Sequence, residues 1–168
     1  MAHDLAWLNS LSAEEAAKEL LQCCGSKRWA QEMVKRRPYQ SPETLVKTAD
    51  DIWWSLQPVD WLEAFRSHPK IGEKKATESV STQARAWSGQ EQAGTSNAAQ
   101  ETVDSLATLN RAYEQKFGFI FIICATGKTS EEMLLALRER LEHDPAAEPR
   151  IAATEQSKIT ELRLKKLI

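Results

Sequence analysis

Three times along this chain a hydroxyl residue is followed, three positions on, by a glutamate: Ser12–Glu15, Ser88–Glu91 and Thr129–Glu132. A hydroxyl at a helix N-cap accepts a hydrogen bond from the amide three residues ahead, and a glutamate there reaches back to the cap amide. Each pattern therefore predicts a helix start. Six glycines and six prolines in 168 residues leave few breaks between such starts, and the remaining residues are rich in straight-chain helix formers. The expected fold class is all-α: one multihelical bundle domain spanning 1–168.

The apolar periodicity fills in the helices. One helix is predicted from Ser12 to Cys24 with Gly25 as its stop, and a second from Ser26 to Arg37, before Pro38. Ser41-Pro42 reads as an N-cap followed by proline in the first turn, with Leu45, Ala49, Ile52, Trp53 and Leu56 as the inward stripe. Pro58 starts a short helix carrying Trp61, Leu62 and Phe65 inward. Residues 67–77 break the period and read as a loop. One or two helical turns are expected over 81–87, then a fresh start at Ser88. A helix to Phe117 ends on Gly118, one from Thr129 runs to about Leu141, and a last one begins at Arg150 with Ile151, Ile159, Leu162 and Leu167 inward.

One segment does not fit. Phe119-Ile-Phe-Ile-Ile-Cys-Ala125 is seven apolar residues in a row between Gly118 and Gly127. It reads as a short, buried, extended segment. With no sheet partner in sight, its backbone groups must find other partners.

Composition excludes several functions. The net charge is −2, without the basic excess of a nucleic-acid-binding domain. No apolar run reaches the length of a membrane span, and the first residues do not resemble a signal peptide. Three cysteines, two of them adjacent at 23 and 24, make neither a disulfide framework nor a zinc motif. A reducing cytoplasm is expected. No phosphate-binding loop or HExxH motif occurs, so neither a nucleotide cofactor nor a metal is expected.

Candidate chemistry is sparse. Of three histidines, His3 is expected to fray at the terminus and His143 to meet a helix C-terminus. His68 sits in a loop before Pro69 and is the natural proton carrier. The Ser88–Gln92 stretch is either a self-capped helix start or an anion site built on free amides. Arg163 lies among leucines and reads as a solvent-facing or snorkelling arginine. Cys124 reads as a buried small hydrophobe.

Five stretches in this order carry a resemblance: Phe65-Arg-Ser-His68-Pro69-Lys-Ile-Gly72, Ser88-Gly-Gln-Glu91-Gln92-Ala-Gly94, Leu109-Asn-Arg-Ala-Tyr113, Lys116-Phe-Gly-Phe-Ile-Phe-Ile-Ile-Cys-Ala125, and Lys158-Ile-Thr-Glu-Leu-Arg163-Leu164. Together the chain resembles the OHCU decarboxylases, which act on 2-oxo-4-hydroxy-4-carboxy-5-ureidoimidazoline. The resemblance implies an all-α, cofactor-independent enzyme, usually a homodimer. It takes a small-molecule ureidoimidazoline substrate and completes the conversion of urate to (S)-allantoin. It makes His68 the catalytic histidine and Glu91 its partner carboxylate. It makes Pro69, Ser88, Gln92 and Arg163 substrate contacts, together with the main chain of Phe121, Ile122, Ile123, Cys124 and Ala125. Two departures stand out. Ile120 occupies a position where relatives often have proline, and the chain ends Lys165-Lys-Leu-Ile168 without a peroxisomal tripeptide. The competing readings are a non-catalytic helical interaction module, with the six tryptophans forming a groove, and a hydrolase of a related cyclic ureide.

Overall fold

The computed structural model describes residues 2–71, 82–91 and 99–168. Among them are nine helices and no sheet. These are α1 (Leu5–Ser10), α2 (Ala13–Cys23), α3 (Lys27–Lys35), α4 (Pro42–Ser55), α5 (Pro58–Arg66), α6 (Thr82–Glu91), α7 (Gln100–Phe117), α8 (Ser130–Leu141) and α9 (Glu148–Leu167). None of the described helices is long and apolar enough to cross a membrane.

The helix starts follow the local chemistry of the chain. Ser12 Oγ accepts from the Glu15 amide at 3.2 Å while the Ser12 amide donates to Glu15 Oε2 at 3.0 Å. Both halves of the expected box are therefore made at α2. Ser41 Oγ caps α4 from before Pro42. Thr129 Oγ1 accepts the Glu132 amide at the head of α8. Helix α1 carries no box, and the periodicity did not reveal it. It is capped by Asp4, whose carboxylate accepts the Trp7 amide at 2.8 Å, a negative charge at the positive end of the helix dipole. At the other end of α7, Gly118 turns left-handed at φ 82°, a conformation that costs glycine little. Its amide closes on the Glu114 carbonyl at 2.8 Å.

The residues group into two compact units: Met1–Ala64 with Ser157–Ile168, and Phe65–Gln156. In the first, α2 packs on α3 and α3 on α4. Leu20, Trp29, Met33 and Leu45 are all fully buried, each side chain contributing roughly 1.5–3 kcal/mol of apolar burial. The Trp29 indole donates to the Ala49 carbonyl at 3.1 Å and the Trp61 indole to the Trp53 carbonyl at 3.0 Å. Their polar atoms are thus satisfied inside the core. Trp29, Trp53, Trp61 and Trp87 are buried, so four of the six tryptophans serve cores rather than an exposed groove. His3 is not frayed: its ring stacks on Trp7 at 3.7 Å and its amide donates to the Leu167 carbonyl.

In the second unit α7 packs on α8. Tyr113 sits within 4.5–5.7 Å, centroid to centroid, of Phe117, Phe119 and Phe121. This aromatic cluster seats the start of the apolar segment. Residues 120–125 have no assigned secondary structure, as expected for an extended run without a sheet.

Candidate active site

His68 lies two residues beyond α5, where its amide closes a turn on the Phe65 carbonyl at 3.2 Å. Pro69 follows and is buried. His68 is 7% exposed. Its Nε2 stands 2.6 Å from Oε1 of Gln156, a fully buried residue of α9. A buried polar ring keeps its place only if hydrogen-bonded, and this contact supplies such a bond across 88 positions of sequence.

Ser88 and Glu91 correct an expectation. They do not open a helix; α6, described over Thr82–Glu91, is already under way before Ser88. The amides of 88–91 therefore have a preceding helical turn to bond to, and a helix start at Ser88 with an anion site on its free amides is ruled out. The side chains take over the interest. Ala84, Trp87, Ser88 and Glu91 are all buried, and their spacing of three and four places them on one face of α6. Gln92 lies outside the described residues.

The apolar segment finds its backbone partners in side chains. The Cys124 amide donates to Glu155 Oε1 at 3.2 Å. Arg140 Nη1 donates to the Ile122 carbonyl. The Cys124 side chain is partly exposed, not fully buried as expected. Burial pushes its thiol pKa up, and the nearby charges of Glu155 and Glu91 act in the same direction. Glu91, Cys124 and Glu155 thus share one electrostatic neighbourhood, and Glu155 adjoins the residue that holds His68.

Arg140 belongs to a buried ionic cluster. Its Nε lies 2.5 Å from Oε1 of Glu148, which is fully buried. The Tyr113 hydroxyl donates to the same oxygen at 2.6 Å. His143 Nδ1 stands 2.8 Å from the other oxygen, so His143 meets a carboxylate rather than only a helix end. The guanidinium carbon lies 4.6 Å from the Phe121 ring centroid. Burial holds the Tyr113 phenol pKa far above its usual range, with the bond to Glu148 adding to the rise. The phenol therefore donates and does not ionise.

Arg163 is in the first unit. It is 3% exposed, which overturns the solvent-facing expectation. Its Nη1 donates to the Gln22 carbonyl at 3.2 Å. Nearby, burial pushes the Cys24 thiol up to about 12 against the weaker pull of Arg163. An open cavity of about 860 Å³ in the same unit is lined by residues including Pro42, Glu43, Lys47 and Glu161. No predicted site residue lines it.

Sequence reasoning missed Arg140, Glu148, Glu155 and Gln156. A signal existed on α9. Its inward face is Ala152, Ala153, Gln156, Ile159, Thr160, Arg163, Leu164 and Leu167, at helical spacing. An apolar stripe drawn through Ile151 and Leu162 selects two residues that are only half-buried. The polar residues at inward positions were the informative ones.

The all-α fold gives the class first: a multihelical domain like that of a solved OHCU decarboxylase. The chain belongs to the OHCU decarboxylase family, which it matches over residues 9–165. It is 45% identical over 146 residues to the "Uric acid degradation bifunctional protein TTL" of Arabidopsis thaliana, covering 86% of this chain and 45% of that protein. It is 31% identical to the 2-oxo-4-hydroxy-4-carboxy-5-ureidoimidazoline decarboxylase of Amia calva, covering 98% of this chain and 94% of that one. A solved OHCU decarboxylase, crystallised in the presence of (S)-allantoin, superposes with a TM-score of 0.77 at 40% identity, covering 89% of this chain and 96% of that one. An (S)-allantoin synthase structure superposes at 0.74 with 22% identity, covering 99% of this chain and 54% of that one, and so shares the fold.

Proposed function

We propose that this chain decarboxylates 2-oxo-4-hydroxy-4-carboxy-5-ureidoimidazoline and protonates the product on one face, giving (S)-allantoin. The observation that carries this reading is the family match over residues 9–165, a span that contains every residue of the proposed site.

The reaction is a carboxylate anion plus one proton going to allantoin plus CO2. The bond to the carboxylate breaks, and its electron pair passes into the ring imine and carbonyl. The electron sink is thus in the substrate. The protein has to hold the carboxylate, stabilise the spreading negative charge and control one proton. Donors fixed in advance around developing charge are the largest contribution in most such sites. His68 carries the proton, and the buried carboxylate of Glu91 orients the imidazole or balances its charge. Ser88 and Pro69 contact the substrate, as does Gln92. The main chain of Phe121–Ala125 forms the wall against which the ring lies, and its apolar side chains exclude water, which strengthens each polar contact. The assignment of Arg163 to the substrate rests on the sequence resemblance.

The same reading includes a homodimer, which light scattering in solution tests, and a reducing compartment, supported by three cysteines whose spacing fits neither a disulfide framework nor a zinc motif. The activity is tested by generating the substrate in situ from urate with the upstream enzymes and following the circular dichroism of the product. Rapid formation of optically active allantoin, lost in His68→Asn, is the expected result. A slow racemic background with the native protein would overturn it.

A further inference from the structure

We infer that Gln156 is the positioning residue for His68: its side-chain carbonyl takes the Nε2 proton and holds the imidazole as the Nε2–H tautomer. The effect on turnover rests on the proposed role of His68 as proton carrier; the tautomer does not.

The geometry is simple. Nε2 and Oε1 are 2.6 Å apart, and both residues are buried. An amide oxygen has lone pairs and no proton, so it accepts only. The ring nitrogen facing it must donate. A neutral imidazole carries one N–H, and which nitrogen bears it is set by the bond the other groups make.

The choice of an amide has a consequence for charge. A carboxylate at this distance would favour the imidazolium form, because an opposite charge within a few ångströms stabilises the ionised state. Glutamine supplies the acceptor without adding a second charge to the one proposed for Glu91. The neighbouring residue contributes to the same arrangement: Glu155 accepts the Cys124 amide. Two successive residues of α9 therefore position the histidine and the apolar segment.

The experiment is nitrogen-15 NMR on protein labelled at histidine. The chain has only three histidines, and His68→Asn identifies the signal. The expected wild-type spectrum at neutral imidazole shows a protonated Nε2 and an unprotonated Nδ1 for His68. Gln156→Met, similar in length but without the acceptor, is expected to lose that preference. Its kcat should fall about 10-fold or more, part of the roughly 10²–10⁴-fold that acid–base catalysis supplies, with KM little changed. Gln156→Glu keeps an acceptor and should restore the Nε2–H tautomer. A wild-type Nδ1–H tautomer would overturn the inference, as would Gln156→Met with unaltered tautomer and kcat. If Gln156→Met does not fold, a wild-type Nδ1–H tautomer still overturns the inference, and Gln156→Glu tests the acceptor. A wild-type protein with the expected tautomer but no decarboxylase activity would remove the proposed function and leave the positioning of His68 standing.

Discussion

Glu148 Oε1 lies 2.5 Å from Arg140 Nε, and the same guanidinium reaches the carbonyl of Ile122. A buried ion pair thus holds the main chain of the segment proposed to face the substrate. Tyr113 and His143 satisfy the remaining capacity of the Glu148 carboxylate. A buried pair of this kind gives little net stability over an apolar replacement, but losing one partner strands the other charge. Glu148→Gln is therefore expected to destabilise the protein by about 3 kcal/mol or more, read from urea unfolding. Changing Arg140 to Met in addition should cost much less than the sum of the single changes. Additive losses would mean that the two side chains do not act as a pair.

At the site itself, Glu91→Gln preserves size and removes charge. We expect kcat to fall by about 10²-fold or more while the helical circular dichroism is retained. Turnover within twofold of wild type would remove Glu91 from the acid–base machinery.

Ser12 and Ser88 begin the same four-residue pattern but hold different places in their helices. Ser12→Ala removes a cap that is fully made and is expected to cost about 1 kcal/mol. Ser88→Ala removes no cap, since the described part of α6 already includes Thr82 and the turn before Ser88. Its effect should appear mainly in turnover, and thermal denaturation of the two variants separates the cases.

Cys24 gives a pH dependence with a definite sign. Burial raises its thiol from 9.0 to about 12, so the folded protein retains a proton that the unfolded chain releases. Below pH 9 both states hold it and stability is unaffected. Between pH 9 and about 12 stability falls as pH rises, by up to about 1.4 kcal/mol per unit. Cys24→Ala should flatten this alkaline slope in melting experiments at pH 8.5–10.5, and an unchanged slope would show that other groups cause it.

Much of the helical framework was legible because its signals are local. A cap such as Ser12 or Thr129 acts on an amide three residues away, and the same short range makes Gly118 a dependable stop. The pattern at Ser88 misled for the same reason. Four residues do not record whether a helix is already under way, and the turn before Ser88 is already helical. The extended run at 119–125 was evident from composition, but its partners were not. Cys124 is held from 31 positions away and Ile122 from 18.

What the sequence by itself determined is therefore most of the helices and the caps at Ser12, Ser41 and Thr129, the single apolar segment, and the family through its ordered motifs. Packing decided which polar side chains turn inward and whom they meet. Glu155 and Gln156 look like ordinary helix-surface residues until α9 is placed, because burial and partnership are properties of neighbours in space. Only folding brings Gln156 within 2.6 Å of His68, across 88 positions of sequence.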